Sequence, residues 1–213
     1  MTTTRVLLIR HGETDWNASG RWQGHAPVPL NAAGLRQAAA LGRYLAAQRN
    51  WEIAAIYSSD LPRAAQTAQA LADALGVAVR LDARWREKDL GHWQGLTREE
   101  VRAWDGERYA RYRQGWPDVP VPGGEAIPQV VARARAALEA IAAQHGGQTV
   151  VAVSHGGTIS NLLAALWPAE DIPSLLNTSV TVLAREGTGA PWRLERACWT
   201  PHLDGERALG ETW

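Results

Sequence analysis

The sequence contains one cysteine, one lysine and no phenylalanine. Because Cys198 has no partner within the chain, an intrachain disulfide is excluded and a reducing compartment is favoured. The 22 basic and 22 acidic side chains cancel at pH 7, so the composition does not indicate broad electrostatic binding to nucleic acid or to a membrane. A bound anion would therefore depend on a local cluster of cations.

Long hydrophobic runs are also missing. The apolar run near the N-terminus covers only residues 6–9, which is too short for a secretory signal. The longest uncharged stretch, 149–169, contains Ser154-His155-Gly156-Gly157 in its middle, which indicates a buried strand and a helix joined by a polar turn rather than a membrane span. With 213 residues, 46% of them hydrophobic, we expect a cytoplasmic protein of a single domain, residues 1–213.

The pattern of hydrophobic residues predicts strands that alternate with helices. The predicted strands are Arg5–Arg10, Ile53–Ser58, Val77–Leu81, Gln148–Ser154, Ser179–Arg185 and Trp192–Ala197. The predicted helices are Leu30–Arg49, Leu61–Leu75, Gln129–Gln144 and Thr158–Trp167. This alternation predicts an α/β fold, a three-layer sandwich with a mostly parallel central sheet of about six strands and helices on both faces.

Two local features refine this prediction. Asn31 is expected to cap the first helix, with Leu30 and Leu35 packing together across the cap and Leu35 on the buried face. The segment 97–125 departs from the alternation, because it is rich in charged and aromatic residues and closes with several prolines and glycines. We expect it to be a helical insertion that leans over the sheet as a lid.

Four short segments each present polar groups suited to an anion at a strand end or a turn. They are Arg10-His11, Ser58-Ser59-Asp60-Leu61-Pro62-Arg63, Glu87 with its neighbours 84–95, and Ser154-His155-Gly156-Gly157. Open α/β sheets bind ligands at the carboxyl ends of their strands, and helix N-termini and arginines provide donors for phosphate oxygens. Each segment alone also fits a solvated arginine, a turn histidine or a surface ion pair, but their recurrence favours a site.

These segments carry a resemblance to a known family. The sequence Leu8-Ile9-Arg10-His11-Gly12-Glu13-Thr14-Asp15-Trp16-Asn17 is similar to the signature of the histidine phosphatase superfamily (phosphoglycerate mutase-like, branch 1). Further similar blocks follow in order: Gly20-Arg21-Trp22-Gln23-Gly24, Pro29-Leu30-Asn31, Gly34, Ser58-Ser59-Asp60-Leu61 with Arg63 and Thr67, Glu87 with Gly91, Trp93 and Gly95, and Ser154-His155-Gly156-Gly157. Residues 177–181 also resemble the family, but less closely than these blocks.

The resemblance implies a role for each matching position. His11 would be the nucleophile that becomes phosphorylated, and Glu87 would donate and accept the proton. Arg10, Arg63 and His155 would hold the phosphoryl group. The positions around the phosphate are matched by Asn17, Gln23 and Gly156.

The chemistry of phosphoryl transfer agrees with this assignment. Two arginines and a second histidine can neutralise a transferring phosphoryl group without a metal ion, and the same cations favour the neutral, nucleophilic form of His11. A metal site is the rival interpretation of the histidines, but they include no pair at i, i+2 or i, i+4, and no cysteine pair accompanies them. We expect no cofactor, and a small phosphorylated metabolite as substrate.

Three activities remain open. A phosphomonoester hydrolase is favoured, because Leu90 stands where the mutases of the family usually have tyrosine and the arginine pair of their longer insertion is only partly matched by Arg111-Tyr112-Arg113. A phosphoglycerate mutase that depends on 2,3-bisphosphoglycerate is the alternative, since Arg98 stands where those enzymes place a lysine. A catalytically inactive regulatory module is the third. The aromatic residues Trp22, Trp104, Tyr109, Tyr112 and Trp116 are expected to form part of a pocket wall that favours an apolar or aromatic leaving group. The alternative is that they pack the lid onto the sheet.

Overall fold

The computed structural model describes residues 2–48, 51–114, 121–168 and 173–203. The strands are β1 Thr3–Arg10, β2 Ile53–Ser58, β3 Val79–Leu81, β4 Thr149–Ser154, β5 Val180–Glu186 and β6 Arg193–Trp199. The helices are α1 Asp15–Ala18, α2 Ala32–Ala47, α3 Pro62–Leu75, α4 Arg98–Trp104, α5 Gly106–Arg113, α6 Ile127–Gln144 and α7 Gly156–Leu166. Short 3-10 turns cover Ala83–Trp85, Gly91–Trp93 and Pro201–Leu203.

The six strands form one mixed sheet in the order β3-β2-β4-β1-β5-β6. The pairings β3–β2, β2–β4 and β4–β1 are parallel, whereas β5 and β6 join in antiparallel direction. Since β1, β2 and β4 run side by side in one direction, their carboxyl ends open at the same edge of the sheet. That edge is where the sequence places Arg10-His11, Ser58-Ser59 and Ser154-His155.

The sheet is buried on both faces. In β1, Leu7 and Ile9 pack into a cluster with residues of α2 and α3, while Val6 and Leu8 pack into a second cluster with residues of α6 and α7. Because side chains alternate across a strand, a run that is apolar at every position requires cover on both sides. The predicted three-layer α/β sandwich is confirmed, and the predicted strands and main helices differ from the observed bounds by at most two residues.

The orientation of α2 differs from the prediction. Asn31 caps the helix by accepting a 2.8 Å hydrogen bond from Gly34 N, as expected, but Leu35 is 51% exposed. The buried face is formed instead by Gly34, Gln37, Ala38, Leu41, Gly42 and Leu45. The expected place of Leu35 on the buried face is therefore wrong, because the close approach of Gly34 to the loop after β1 turns Leu35 towards solvent, whereas the packing of Leu30 with Leu35 stays a prediction.

Helices α4 and α5 lie within the segment 97–125 that we predicted to be a lid. They bury Val101 in a third apolar cluster, together with Leu90, Trp93 and Val121. Trp22 packs against this cluster, and its backbone pairs with Gly95 and Leu96. The role of the segment as a lid, and the single-domain organisation, remain predictions. Among the described residues, no helix combines the length and the apolar character needed to cross a membrane.

Candidate active site

The nucleophile predicted from the sequence, His11, lies directly after β1 and is 3% exposed. Its Nδ1 lies 2.6 Å from the carbonyl oxygen of Gly12, and its Nε2 accepts a 3.2 Å hydrogen bond from Nε of Arg63. A guanidinium can only donate and a carbonyl can only accept, so Nδ1 carries the hydrogen and Nε2 carries a lone pair. Burial, Arg63 and Arg10 hold the pKa of His11 well below its usual value. The ring is therefore neutral at physiological pH.

Arg63 is fully buried in the first turn of α3. Its Nη1 and Nη2 donate to the carbonyl oxygens of Ala26 and Gly24 at 3.0 and 2.8 Å. Pro62 begins the helix, which suits a position without an N–H donor. The loop 24–26 thus fixes the guanidinium beside His11.

Arg10 ends β1 and is 1% exposed. Its Nη1 donates a 2.6 Å hydrogen bond to the carbonyl oxygen of Leu175. The next residues of that segment hold the backbone of the site, since Asn177 Nδ2 donates to His11 O at 2.9 Å and Thr178 N donates to Arg10 O at 3.0 Å. Thr178 has a φ of 57°, an uncommon conformation for a β-branched residue.

His155 follows β4, is fully buried, and has its ring centroid 5.1 Å from that of His11. Its Nε2 lies 2.8 Å from Oγ of Ser59. Burial and the charge of Arg63 hold the pKa of His155 well below its usual value. The two histidines therefore meet as neutral rings, with the positive charge supplied by the arginines.

Glu87 lies on the loop after the 3-10 turn at Ala83–Trp85, and its side chain reaches the start of α7, directly after His155. Its carboxylate accepts hydrogen bonds from the backbone of Gly157 and Thr158 at the start of α7, at 3.0 and 2.9 Å, and from the Thr158 hydroxyl at 3.1 Å. A Cβ on Gly157 would lie 2.7 Å from Glu87 Oε1, so a side chain there would displace the carboxylate. The predicted proton donor is thus anchored to a helix N-terminus.

A cavity of about 280 Å³ opens beside these residues. Its described lining comprises His11, Trp22, Gln23, Gly24, Arg63, Glu87, Lys88, Leu90, Tyr112, Arg113, Ile127, Gly157, Ser160, Asn161 and Ala164. The wall is largely apolar, and the charged residues in it are Arg63, Glu87, Lys88 and Arg113. His11, Glu87 and Arg63 therefore face a common space that can hold a small molecule.

The other predicted phosphate contacts take different positions. Gln23 is 6% exposed and lines the cavity. The side chain of Asn17 closes a capping box with Thr14, and its Oδ1 lies 3.5 Å from Nδ2 of Asn177. Gly156 is the first residue of α7. The lining described above includes Gln23 but neither Asn17 nor Gly156.

The aromatic wall predicted from the sequence is partly present. Trp22 and Tyr112 line the cavity, and their ring centroids are 5.5 Å apart. Tyr109 packs against Trp22 in the apolar cluster, whereas Trp104 is 57% exposed beside His92. A place for Trp104 in the wall is wrong, because α4 buries Val101 and ends with Trp104 facing solvent. Trp116 lies outside the described residues.

Lys88 is a member of the site that we did not identify from the sequence. It is 3% exposed, lines the cavity, and holds its Nζ 4.6 Å from the centroid of the Tyr112 ring. Burial lowers its pKa to about 8, although Glu87 and Glu125 oppose this shift. A lysine between two acidic residues is typical of a protein surface, so its neighbours did not indicate burial. The feature of the sequence that could have indicated a special role is that Lys88 is the only lysine.

The loop that carries His11 is packed against α2 without room for side chains. A Cβ on Gly12 would lie 2.6 Å from Gly34 O, and one on Gly34 would lie 2.1 Å from Glu13 O. Glu13 N also donates to Gln37 Oε1 at 2.9 Å, and Gly12 N to Thr67 Oγ1 at 3.0 Å. The backbone beside the nucleophile is therefore fixed by both α2 and α3.

The fold and the site together define the class of the protein. It is an α/β sandwich with two buried histidines and two buried arginines at the edge where the parallel strands β1, β2 and β4 end. Residues 6–200 match the model of the histidine phosphatase superfamily (branch 1), and the chain belongs to this family. Among the described residues, no group of three or more His, Cys, Asp or Glu side chains is placed to hold a metal ion.

Some relatives are named as phosphoglycerate mutase-like proteins and others as phosphatases. Phosphoglycerate mutase-like protein 4 of Arabidopsis thaliana is 38% identical over 93% of this chain and 86% of its own length. The metal-independent phosphoserine phosphatase of the same plant is 37% identical over 84% and 76%. A solved mycobacterial glucosyl-3-phosphoglycerate phosphatase in complex with VO3 is 33% identical, with a TM-score of 0.78 over 90% of this chain and 97% of the other.

Proposed function

We propose that this protein hydrolyses the phosphate ester of a small phosphorylated metabolite through a phosphohistidine on His11, without a metal ion. The observation that carries the proposal is the state of His11. Its ring is neutral, its Nδ1–H is engaged by Gly12, and its Nε2 lone pair lies beside the Arg63 guanidinium. A phosphate bound by Arg63 and Arg10 would replace the Arg63–His11 contact and bring phosphorus to Nε2.

In the first step, Nε2 of His11 attacks phosphorus. The P–N bond forms while the bond from phosphorus to the leaving oxygen breaks, and that oxygen takes a proton from the Glu87 carboxyl group. Arg10 and Arg63 offset the charge on the other phosphoryl oxygens, and the neutral His155 donates a hydrogen bond to them; such stabilisation is where a phosphoryl transfer gains most of its rate. Gln23, Asn17 and Gly156 complete the surroundings of the phosphate in this proposal.

In the second step, a water molecule attacks the phosphohistidine from the side that the alcohol has left. Glu87 takes the proton of the water, the P–O bond forms, and the P–N bond breaks. Inorganic phosphate and neutral His11 result, so the enzyme returns to its starting state. The anchoring of Glu87 to α7 keeps one carboxyl group in place for both proton transfers.

The largely apolar wall around Trp22, Leu90 and Tyr112 suits the organic leaving group that a phosphomonoester hydrolase releases. Relatives that are named as phosphatases of phosphoserine and of glucosyl-3-phosphoglycerate support the same choice. Because another relative is named as a phosphoglycerate mutase-like protein, the test below also measures mutase activity.

The proposal is tested by phosphate release from p-nitrophenyl phosphate, with and without EDTA. We expect His11→Ala to abolish release, and His92→Ala, a matched change of an exposed histidine, to leave it unchanged. We also expect an acid-labile phosphoryl group on the wild-type protein during turnover. Activity that survives His11→Ala, or that EDTA removes, would contradict the covalent, metal-independent scheme.

The same samples separate the alternatives. Conversion of 3-phosphoglycerate to 2-phosphoglycerate in the presence of 2,3-bisphosphoglycerate, at a rate above that of phosphate release, would identify a mutase. Failure of a broad panel of phosphomonoesters to be hydrolysed or isomerised by the folded protein would identify an inactive module.

A further inference from the structure

Ser59 stands behind the second histidine of the site. It follows β2 directly, is fully buried, and places its Oγ 2.8 Å from Nε2 of His155. The same Oγ accepts a 3.2 Å hydrogen bond from the backbone N–H of Leu61. The resemblance to the family gave Ser59 no role of its own.

The hydrogen atoms of this pair can be assigned by counting donors and acceptors. The Ser59 hydroxyl has one hydrogen to donate, and within the described residues its acceptor is Nε2 of His155. If His155 carried its hydrogen on Nε2, the serine hydrogen would be buried without an acceptor, which is costly. The satisfied arrangement has the serine donating to Nε2, and a neutral His155 then carries its hydrogen on Nδ1.

The Nδ1 atom of His155 is buried and has no hydrogen-bond partner within the described part of the chain. Because the ring is neutral, it has a single N–H, and the tautomer decides whether Nδ1 is a donor or a lone pair. Beside the negatively charged oxygens of a phosphoryl group, a donor attracts and a lone pair repels. If the phosphoryl group lies beside this atom, as the proposed function requires, the serine determines whether it meets a donor or a lone pair.

We propose that Ser59 is a positioning residue that holds His155 in the tautomer with its hydrogen on Nδ1, so that this N–H is presented to the phosphoryl group. The proposal rests on the proposed function for its catalytic meaning, although the tautomer itself does not. The two histidines are thereby used in complementary ways. His11 engages its Nδ1–H with the backbone and presents a lone pair, whereas His155 engages a lone pair with Ser59 and presents an N–H.

Long-range ¹H–¹⁵N correlation spectra of protein labelled with ¹⁵N-histidine report the tautomer directly. For wild-type protein at pH 7.5, we expect His155 to show a protonated Nδ1 and an unprotonated Nε2. In Ser59→Ala, this preference should be lost and the two tautomers should mix. Ser58→Ala is the matched control, because Ser58 is equally buried but donates to the carbonyl oxygen of Ser59 and not to a histidine.

Kinetics supply the second readout. Loss of one neutral hydrogen bond corresponds to about a three- to tenfold effect, so we expect Ser59→Ala to lower kcat and weaken vanadate inhibition by about that factor, while Ser59→Thr retains both if its methyl group is accommodated. A His155 with its hydrogen on Nε2 in the wild type overturns the proposal, as does an unchanged tautomer in a folded Ser59→Ala variant. If the tautomers behave as expected but no phosphatase activity exists, the positioning inference stands and the proposed function fails.

Discussion

Nε of Arg63 donates a hydrogen bond of 3.2 Å to Nε2 of His11. This contact joins a buried cation to the atom proposed to attack phosphorus, and it has two effects. The N–H of Arg63 occupies the lone pair of His11 Nε2, and the positive charge of the guanidinium disfavours protonation of the ring. A phosphate that accepts the hydrogen bond of the Arg63 guanidinium would free Nε2 of His11, whose ring is already neutral.

The first prediction concerns this charge. Removing it in Arg63→Met is expected to raise the pKa of His11, because Arg63 and Arg10 are the charges that lower it. Arg63→Lys keeps a cation and should leave the pKa closer to the wild-type value. The measurement is an NMR titration of the His11 ring. A pKa in Arg63→Met at or below that of the wild type would contradict the electrostatic account.

The loss of Arg63 should also lower kcat by about 10²–10³, the effect of removing one preorganised donor from a transition state. The pH–rate profile separates this loss from the pKa effect. The acid limb of kcat/KM should move to higher pH in Arg63→Met, since a larger fraction of His11 is protonated at any given pH.

The second prediction concerns the packing of the loop after β1. In Gly34→Ala, the new Cβ would lie 2.1 Å from Glu13 O, so the loop that carries His11 must move. We expect a loss of about 1–3 kcal/mol in the free energy of unfolding, together with a lower kcat. Gly146→Ala is the matched control, since no atom lies within 4 Å of its added Cβ. Equal stabilities of the two variants in urea would refute the tight contact.

The sequence predicted the part of the site that depends on the direction of the strands. Arg10, His11 and His155 end neighbouring parallel strands, and such ends meet at one edge whatever the details of packing. It did not predict that Gly34 rather than Leu35 lies on the buried face of α2, because both rotations of α2 bury alanines and the choice depends on a loop distant in the chain. The contacts of Ser59, Lys88 and Asn177 were missed for the same reason, since each joins segments far apart in the chain.

The third prediction concerns the aromatic wall. Trp22 lines the cavity, whereas Trp104 is 57% exposed. We expect Trp22→Ala to lower kcat/KM for p-nitrophenyl phosphate relative to that for O-phosphoserine by about tenfold, because the apolar contact with the leaving group is worth about 1–3 kcal/mol. The ratio of the two substrates cancels any general loss of activity. Trp104→Ala should leave the ratio unchanged, and an equal ratio in both variants would show that Trp22 serves packing alone.

The fourth prediction concerns the binding role of Lys88. Its buried ammonium lines an otherwise largely apolar wall, so it suits a second anionic group on the substrate. Lys88→Met is expected to raise KM for O-phosphoserine, which carries a carboxylate, and to leave KM for p-nitrophenyl phosphate nearly unchanged. Lys88→Arg keeps the charge and should retain the preference. Equal effects on both substrates would exclude recognition of a second anion.

The stability of the same variant checks the electrostatics independently. Lys88 has a pKa of about 8 in the folded protein, below the ordinary value of 10.5. The unfolded chain therefore binds more protons between these values, and the stability of the wild type rises with pH across that window. Lys88→Met removes a buried ammonium, so it should be more stable than the wild type at pH 7, by on the order of 3 kcal/mol. That advantage should shrink towards pH 10 in urea unfolding experiments, whereas a difference independent of pH would mean that the ammonium is not destabilised by burial.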